Sequence, residues 1–203
     1  AGPEAAGAAG STVARAGALI AQHAERWKQE QDIAAASEVV ANTAGELGRV
    51  FYDQQARAPD GAQGFADSYR TAALDLINQR VADLPQGAQQ FARNRLLGHY
   101  TSWVDSAWRY EATSRREWQV RTTGHALDTF AGNVRQDPAS LEQTITDATA
   151  AIDGSGLGPR DRQRLIDQTR PRLAFEAIRG MAERDPAGAR VLLDGPAGQM
   201  LDE

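Results

Sequence analysis

From Val13 onward the apolar positions recur three, four and seven residues apart: Val13, Ala16, Ile20, Ala24 and Trp27, then Ile33, Val40, Leu47, Val50 and Phe51. That spacing lays them on one stripe of a helix. Ser11 or Thr12 is placed to cap its first turn, and the polar run from Lys28 to Asp32 offers a site for a local break. Ala58-Pro59-Asp60-Gly61 ends the pattern with a turn signal. A second helix is predicted from Phe65 to Ala82, with Phe65, Tyr69, Ala72, Leu76, Ile77 and Val81 on one face. Leu84-Pro85-Gln86-Gly87 then turns the chain back, a short connection that favours antiparallel neighbours.

The third pattern, from about Gly87 to Gln136, is the longest. Phe91, Leu97, Tyr100, Val104, Trp108 and Glu111 step along one side, Trp103 and Trp118 flank them, and Leu127, Phe130 and Val134 resume the stripe. If continuous, some 48 residues would extend roughly 70 Å, with Gly124 as the expected bend. A helix of that length needs a partner of similar length, and the first helix supplies it. On this reading Trp108 is buried, and Trp108→Ala should cost about 3–5 kcal/mol.

Beyond Asp137 the texture changes to shorter helices, expected at about 138–152, 159–183 and 187–194. Asp137-Pro138, Gly158-Pro159 and Asp185-Pro186 each set a capping residue before a proline at a first helical position. Of the eight prolines only Pro171 falls inside a helical pattern, so a kink is expected there. The fold class is therefore all-α: an elongated helical bundle built on two long helices, with a C-terminal subdomain of shorter ones. Its predicted divisions are a linker-like Ala/Gly tract at 1–10, a long-helix bundle at 11–136 and a short-helix subdomain at 137–203.

Composition adds limits. The 203 residues can bury a real core, and 41% apolar with 6% aromatic content is that of a folded chain. A net charge of -5 argues against generic attraction of the whole surface to DNA or anionic membranes. Among 22 basic residues only Lys28 is lysine, a skew in keeping with a GC-rich genome. The absence of cysteine removes disulfides and thiolate chemistry. No run approaches the length of a classical transmembrane helix, and neither a starting Met nor a signal-type h-region is present. The chain reads as an ordered part of a larger polypeptide.

Catalytic patterns are weak throughout. His23, His99 and His125 lie far apart without metal-ligand spacing, and no cofactor motif stands out. Glu117 beside Trp118 and Glu176 beside Phe175 are carboxylates with apolar company, a pairing that amphipathic helices produce without catalysis. Gly154-Ser155-Gly156-Leu157-Gly158 follows a helix and precedes no Gly-Lys-Ser/Thr, so it reads as a loop and not a phosphate cradle. Arginines carry the stronger signal. Arg109, Arg115, Arg116 and Arg121 lie near Trp103, Trp108, Tyr110 and Trp118, and Arg160, Arg162, Arg164, Arg170 and Arg172 form a second run. Single-stranded nucleic-acid binders use this combination, and so do protein interfaces; the acidic balance favours an interface, with transient DNA contact left open. The candidate interface residues are Tyr100, Trp103, Trp108, Arg109, Arg116 and Trp118, with no catalytic, cofactor or metal residues assigned.

Two phrases carry a resemblance. Asp60-Gly61-Ala62-Gln63-Gly64-Phe65-Ala66-Asp67-Ser68-Tyr69 introduces the second helix, and Ala177-Ile178-Arg179-Gly180-Met181-Ala182-Glu183-Arg184-Asp185-Pro186-Ala187 leads into Arg190-Val191-Leu192-Leu193-Asp194. With the Asp137-Pro138 helix and the Gly-Leu-Gly-Pro loop, residues 40–195 resemble helical segments of internal virion, or ejection, proteins of tailed bacteriophages and prophages. The resemblance implies a protein packaged in the virion, released with the genome and assembled with its own copies and other virion proteins into a conduit through the host envelope and periplasm. Some such proteins carry a separate peptidoglycan-cleaving domain. The expected role is a non-enzymatic structural module; the alternatives are an accessory helical domain of a virion-associated peptidoglycan hydrolase, or a bacterial helical adaptor or scaffold.

Overall fold

The structure, a computed structural model, describes residues 4–201, with side chains from residue 17 onward other than that of Ile20. Its regular elements among the described residues are all helical. They are α1 (Glu4–Ala56), α2 (Phe65–Ala82), α3 (Gln86–Gln136), α4 (Leu141–Asp153), α5 (Pro159–Ala182), α6 (Pro186–Asp194) and α7 (Pro196–Gln199). Short 3-10 turns at Asp60–Ala62 and Pro138–Ser140 precede α2 and α4. The fold is thus all-α, with two long helices followed by a series of shorter ones.

Several expectations need correction. The tract expected as a linker is helical from Glu4, ahead of Ser11 and Thr12, because its alanines are the best helix formers available. The polar run from Lys28 to Asp32 does not interrupt α1. Helix α5 likewise continues through Pro171, leaving the Asp167 carbonyl without its usual donor. Leu173, Ala174 and Ala177, buried in the following turns, offset that loss. The Asp137 side chain caps nothing; its carbonyl accepts from the Ser140 amide (3.1 Å) and hydroxyl (2.7 Å). Asp185 does cap, accepting from the Ala187 amide at 3.0 Å.

Two compact units divide the chain, residues 1–111 and 112–203. The division falls inside α3 and not at residue 137, because Leu127, Ala131 and Val134 belong to the core of the shorter helices.

In the first unit α1, α2 and the first half of α3 share one core. Phe51 is its centre, with ring centroids 5.3 Å from Phe65, 5.5 Å from Tyr69, 5.1 Å from Trp103 and 6.3 Å from Tyr110. Around these rings the helices meet on alanine: Ala62, Ala66, Ala73, Ala92 and Ala107 are wholly buried. Small side chains let backbones approach while the rings fill the remaining volume. The Tyr69 hydroxyl donates to the Leu47 carbonyl at 3.2 Å, and burial, then the neighbouring Tyr100, push it well above the ordinary phenol range. Helix α1 and the first half of α3 run parallel, with Asp32 against Gly87 and Gly48 against Trp103.

The second unit packs the end of α3 with α4, α5 and the following turns through Leu127, Val134, Ile152 and Leu173. Here Gly180 permits a close approach of two helix backbones, since a Cβ at that position would lie 2.0 Å from the Arg135 carbonyl oxygen.

Candidate functional site

The aromatic segment of α3 begins in the first unit and ends in the second. Burial there centres on Ala88, Ala92, Leu96 and Ala107 with Trp103 beside them; of the stripe expected from the sequence, Phe91, Tyr100 and Val104 pack partly buried against this core, whereas Leu97 and Trp108 do not. Leu97 is 44% and Trp108 48% exposed, so the premise of a buried Trp108 fails. Trp103 and Trp108 lie five positions apart, about 140° around a helix, and only one of them can face the core. Trp103 takes that place: its ring packs 5.1 Å from Phe51 and 5.9 Å from Tyr52. Gly48 makes room for it, for a Cβ there would sit 3.0 Å from the indole. Tyr100 is half-buried against the same core.

The remaining candidates face outward or are held in ion pairs. Arg109 bridges to Asp105, one turn back on its own helix, at 2.6 Å. In the second unit Arg116 forms a two-pronged pair with Asp161, at 2.8 and 2.9 Å, and Arg164 adds a contact at 3.3 Å. The Arg116 hydrogen bonds, reinforced by the charges of Arg116, Arg164 and Arg160, hold the Asp161 carboxyl below the usual range against its desolvation. Trp118 is 41% exposed and lines a shallow cavity with Gln119, Thr122, Ala151 and Ser155. Tyr100, Trp103, Trp108 and Arg109 therefore belong to one unit and Arg116 and Trp118 to the other.

Two arginines of the second basic run, Arg164 and Arg172, are paired with aspartates, and Arg162 bonds a main-chain carbonyl. Arg164 shares Asp161, Arg172 meets Asp128 at 2.6 Å, and Arg162 reaches the Asp153 carbonyl at 3.5 Å. Glu176 lies 3.8 Å from Arg179, and Glu117 is exposed. Among the described residues no three His, Asp or Glu side chains are grouped to hold a metal ion, and no helix is long and apolar enough to cross a membrane.

Two features escaped the sequence reading. The first is Glu111. Gly64 stands at the start of α2 with φ 76° and has no side chain to cap it. The Glu111 carboxylate does so from α3, accepting from the amides of Gly64 (3.1 Å) and Ala66 (2.9 Å). A contact between residues so distant in sequence leaves no local signal.

The second is a continuous surface of α1. Its side chains from residue 21 to 31 are all exposed, Trp27 by 68%. Since Asp32 already lies against Gly87, at the start of α3, the earlier turns of α1 run past the end of that helix. Next to this overhang Ser37, Val40, Ala41, Phe91, Arg95 and His99 line a groove of about 360 Å³ between α1 and α3. The Arg95 guanidinium stands 5.7 Å from the Phe91 ring centroid. Trp27 was legible as part of an apolar stripe, but that the stripe would lack an internal partner was not.

Comparison with models of known protein families, with curated proteins and with solved structures finds no match to this chain.

Proposed function

We propose that this chain is a non-enzymatic assembly module of a tailed-phage virion protein, working by helix association with its own copies and with other virion proteins. One observation carries the assembly reading: the overhang of α1 is a helix with a 68% exposed tryptophan and no covering element of its own unit. A helix without packing is marginal in water, and an exposed indole on one is the kind of residue that anchors interfaces. The engagement of Arg116 and Arg164 by Asp161 and of Arg172 by Asp128 supports protein assembly over DNA binding, because those guanidinium groups already have carboxylate partners. The phage assignment rests on the resemblance of residues 40–195 to ejection proteins. On this reading the module resides in the virion and passes to the host envelope with the genome. Mass spectrometry of purified particles from the encoding phage or prophage tests it. Peptides of the parent protein should be present at multiple copies per particle, and their absence would overturn the assignment.

A further inference from the structure

The overhang and the groove lie on one surface of α1. Trp27 precedes Ala41 by two heptads, so both fall on the same side of the helix, and Ala34 stands midway between them. The knob is at one end, 68% exposed, and the recess is at the other, floored by Val40, Ala41 and Phe91. A surface with a knob and a matching recess at equal distances from one point is complementary to itself under a two-fold axis through that point.

We infer that α1 is the self-association helix of this protein: two copies pair antiparallel about Ala34, each placing Trp27 in the groove of the other. Charge agrees with this occupant. Glu30 lies seven residues before Ser37, two turns along the groove-ward flank, and so approaches the partner's groove where Arg95 stands on the rim. The extent agrees as well. An overlap centred on Ala34 and reaching from residue 17 to residue 51 is about 52 Å long; at a helix width of about 12 Å it covers on the order of 600 Å² per copy. The total, on the order of 1,200 Å², meets the lower bound for a specific interface. The insertion of Trp27 beside Phe91 and Arg95 would supply its anchor.

This deepens the assembly reading, yet its test is independent of it, because a virion protein could assemble through other surfaces and a dimer could form outside any virion. The chain lacks cysteine, so single cysteines report geometry cleanly. Light scattering on the full chain at micromolar concentration should give a dimer. Under mild oxidation Ala34→Cys should form a covalent dimer, whereas Ala41→Cys should not, since an antiparallel pair holds its two copies about 20 Å apart and a disulfide needs Cα atoms within about 7 Å. Trp27→Ala, an exposed change that should leave helix content intact by circular dichroism, should weaken dimerisation at least about tenfold. A monomer at all accessible concentrations would overturn the inference. So would equal crosslinking through Ala34→Cys and Ala41→Cys, the result of parallel pairing, or a Trp27→Ala chain that dimerises as well as the parent.

Discussion

The two units fill their cores differently although their helices draw on similar residues. The first is organised by rings: Phe51 touches Phe65, Tyr69, Trp103 and Tyr110, and wholly buried alanines let the three helices close around them. The second is aliphatic, built on Leu127, Val134, Ile152 and Leu173, with its helices drawn together by the bare backbone of Gly180 and by arginine–aspartate pairs. Volume is supplied in the first case by a few large planar groups and in the second by many small contacts at close approach. Loss of a single side chain should therefore hurt the first unit more. Addition of a single methyl should hurt the second more.

The largest expected effect is Phe51→Ala. It removes the hub of five ring contacts and should cost about 3–5 kcal/mol, read as a fall in the denaturation midpoint. Hydrogen exchange resolved by segment should show the loss of protection within residues 36–111. A cost under about 1 kcal/mol would mean that the cluster collapses without penalty and that the contrast between the cores is wrong.

Gly180→Ala tests the other side of the comparison. The added Cβ would lie 2.0 Å from the Arg135 carbonyl oxygen, with backbone atoms on both sides, so α5 must shift bodily. A cost of about 3 kcal/mol is expected, with exchange rising in α5 and the end of α3. Gly124→Ala is the control. Nothing lies within 4 Å of its Cβ position, and alanine there should be neutral or stabilising by about 1 kcal/mol.

These positions also mark what could be read without the structure. The limits of α2 were legible because turn residues bracket it on both sides: Gly61 and Gly64 with φ of 77° and 76° before, Pro85 after. The stripe of α3, drawn through its largest residues, held for Phe91, Tyr100 and Val104 and failed for Leu97 and Trp108. Alanine counts as a spacer in such a reading, whereas Ala88, Ala92 and Ala107 mark the buried side and Leu97 and Trp108 the wet one. Of the six candidate interface residues the sequence made the chemistry legible but not the directions, which turn on which of two tryptophans five positions apart faces the core. The Gly180 contact and the Arg116–Asp161 pair join distant residues and leave no periodic trace.

Glu111→Gln has an intermediate effect. The carboxylate accepts from both Gly64 and Ala66, and an amide can accept at one of those positions only while turning its own donor toward the other. A loss of about 1–2 kcal/mol is expected, confined to the start of α2. Unchanged exchange of the Ala66 amide would show that water replaces the cap without cost.

The smallest effect sharpens the comparison through pH. Asp161 and Glu183 in the second unit are held below the usual carboxylate range by hydrogen bonds from Arg116 and Arg135 respectively. A carboxyl depressed in the folded state stabilises it fully above its unfolded value, about 4, and that contribution disappears as the pH falls through the folded value. Acid should therefore weaken the second unit below about pH 4. Because both arginines are solvated, the pairs are worth little individually, and the change should be modest and further reduced by salt. Asp161→Asn should lower stability at neutral pH and flatten the acid limb of the melting temperature between about pH 5 and 2, since its proton uptake is gone. An unaltered acid limb would mean that the Asp161 pair contributes nothing to holding α5 against α3, and that the second unit is fastened by the Gly180 approach, its aliphatic core and its remaining ion pairs.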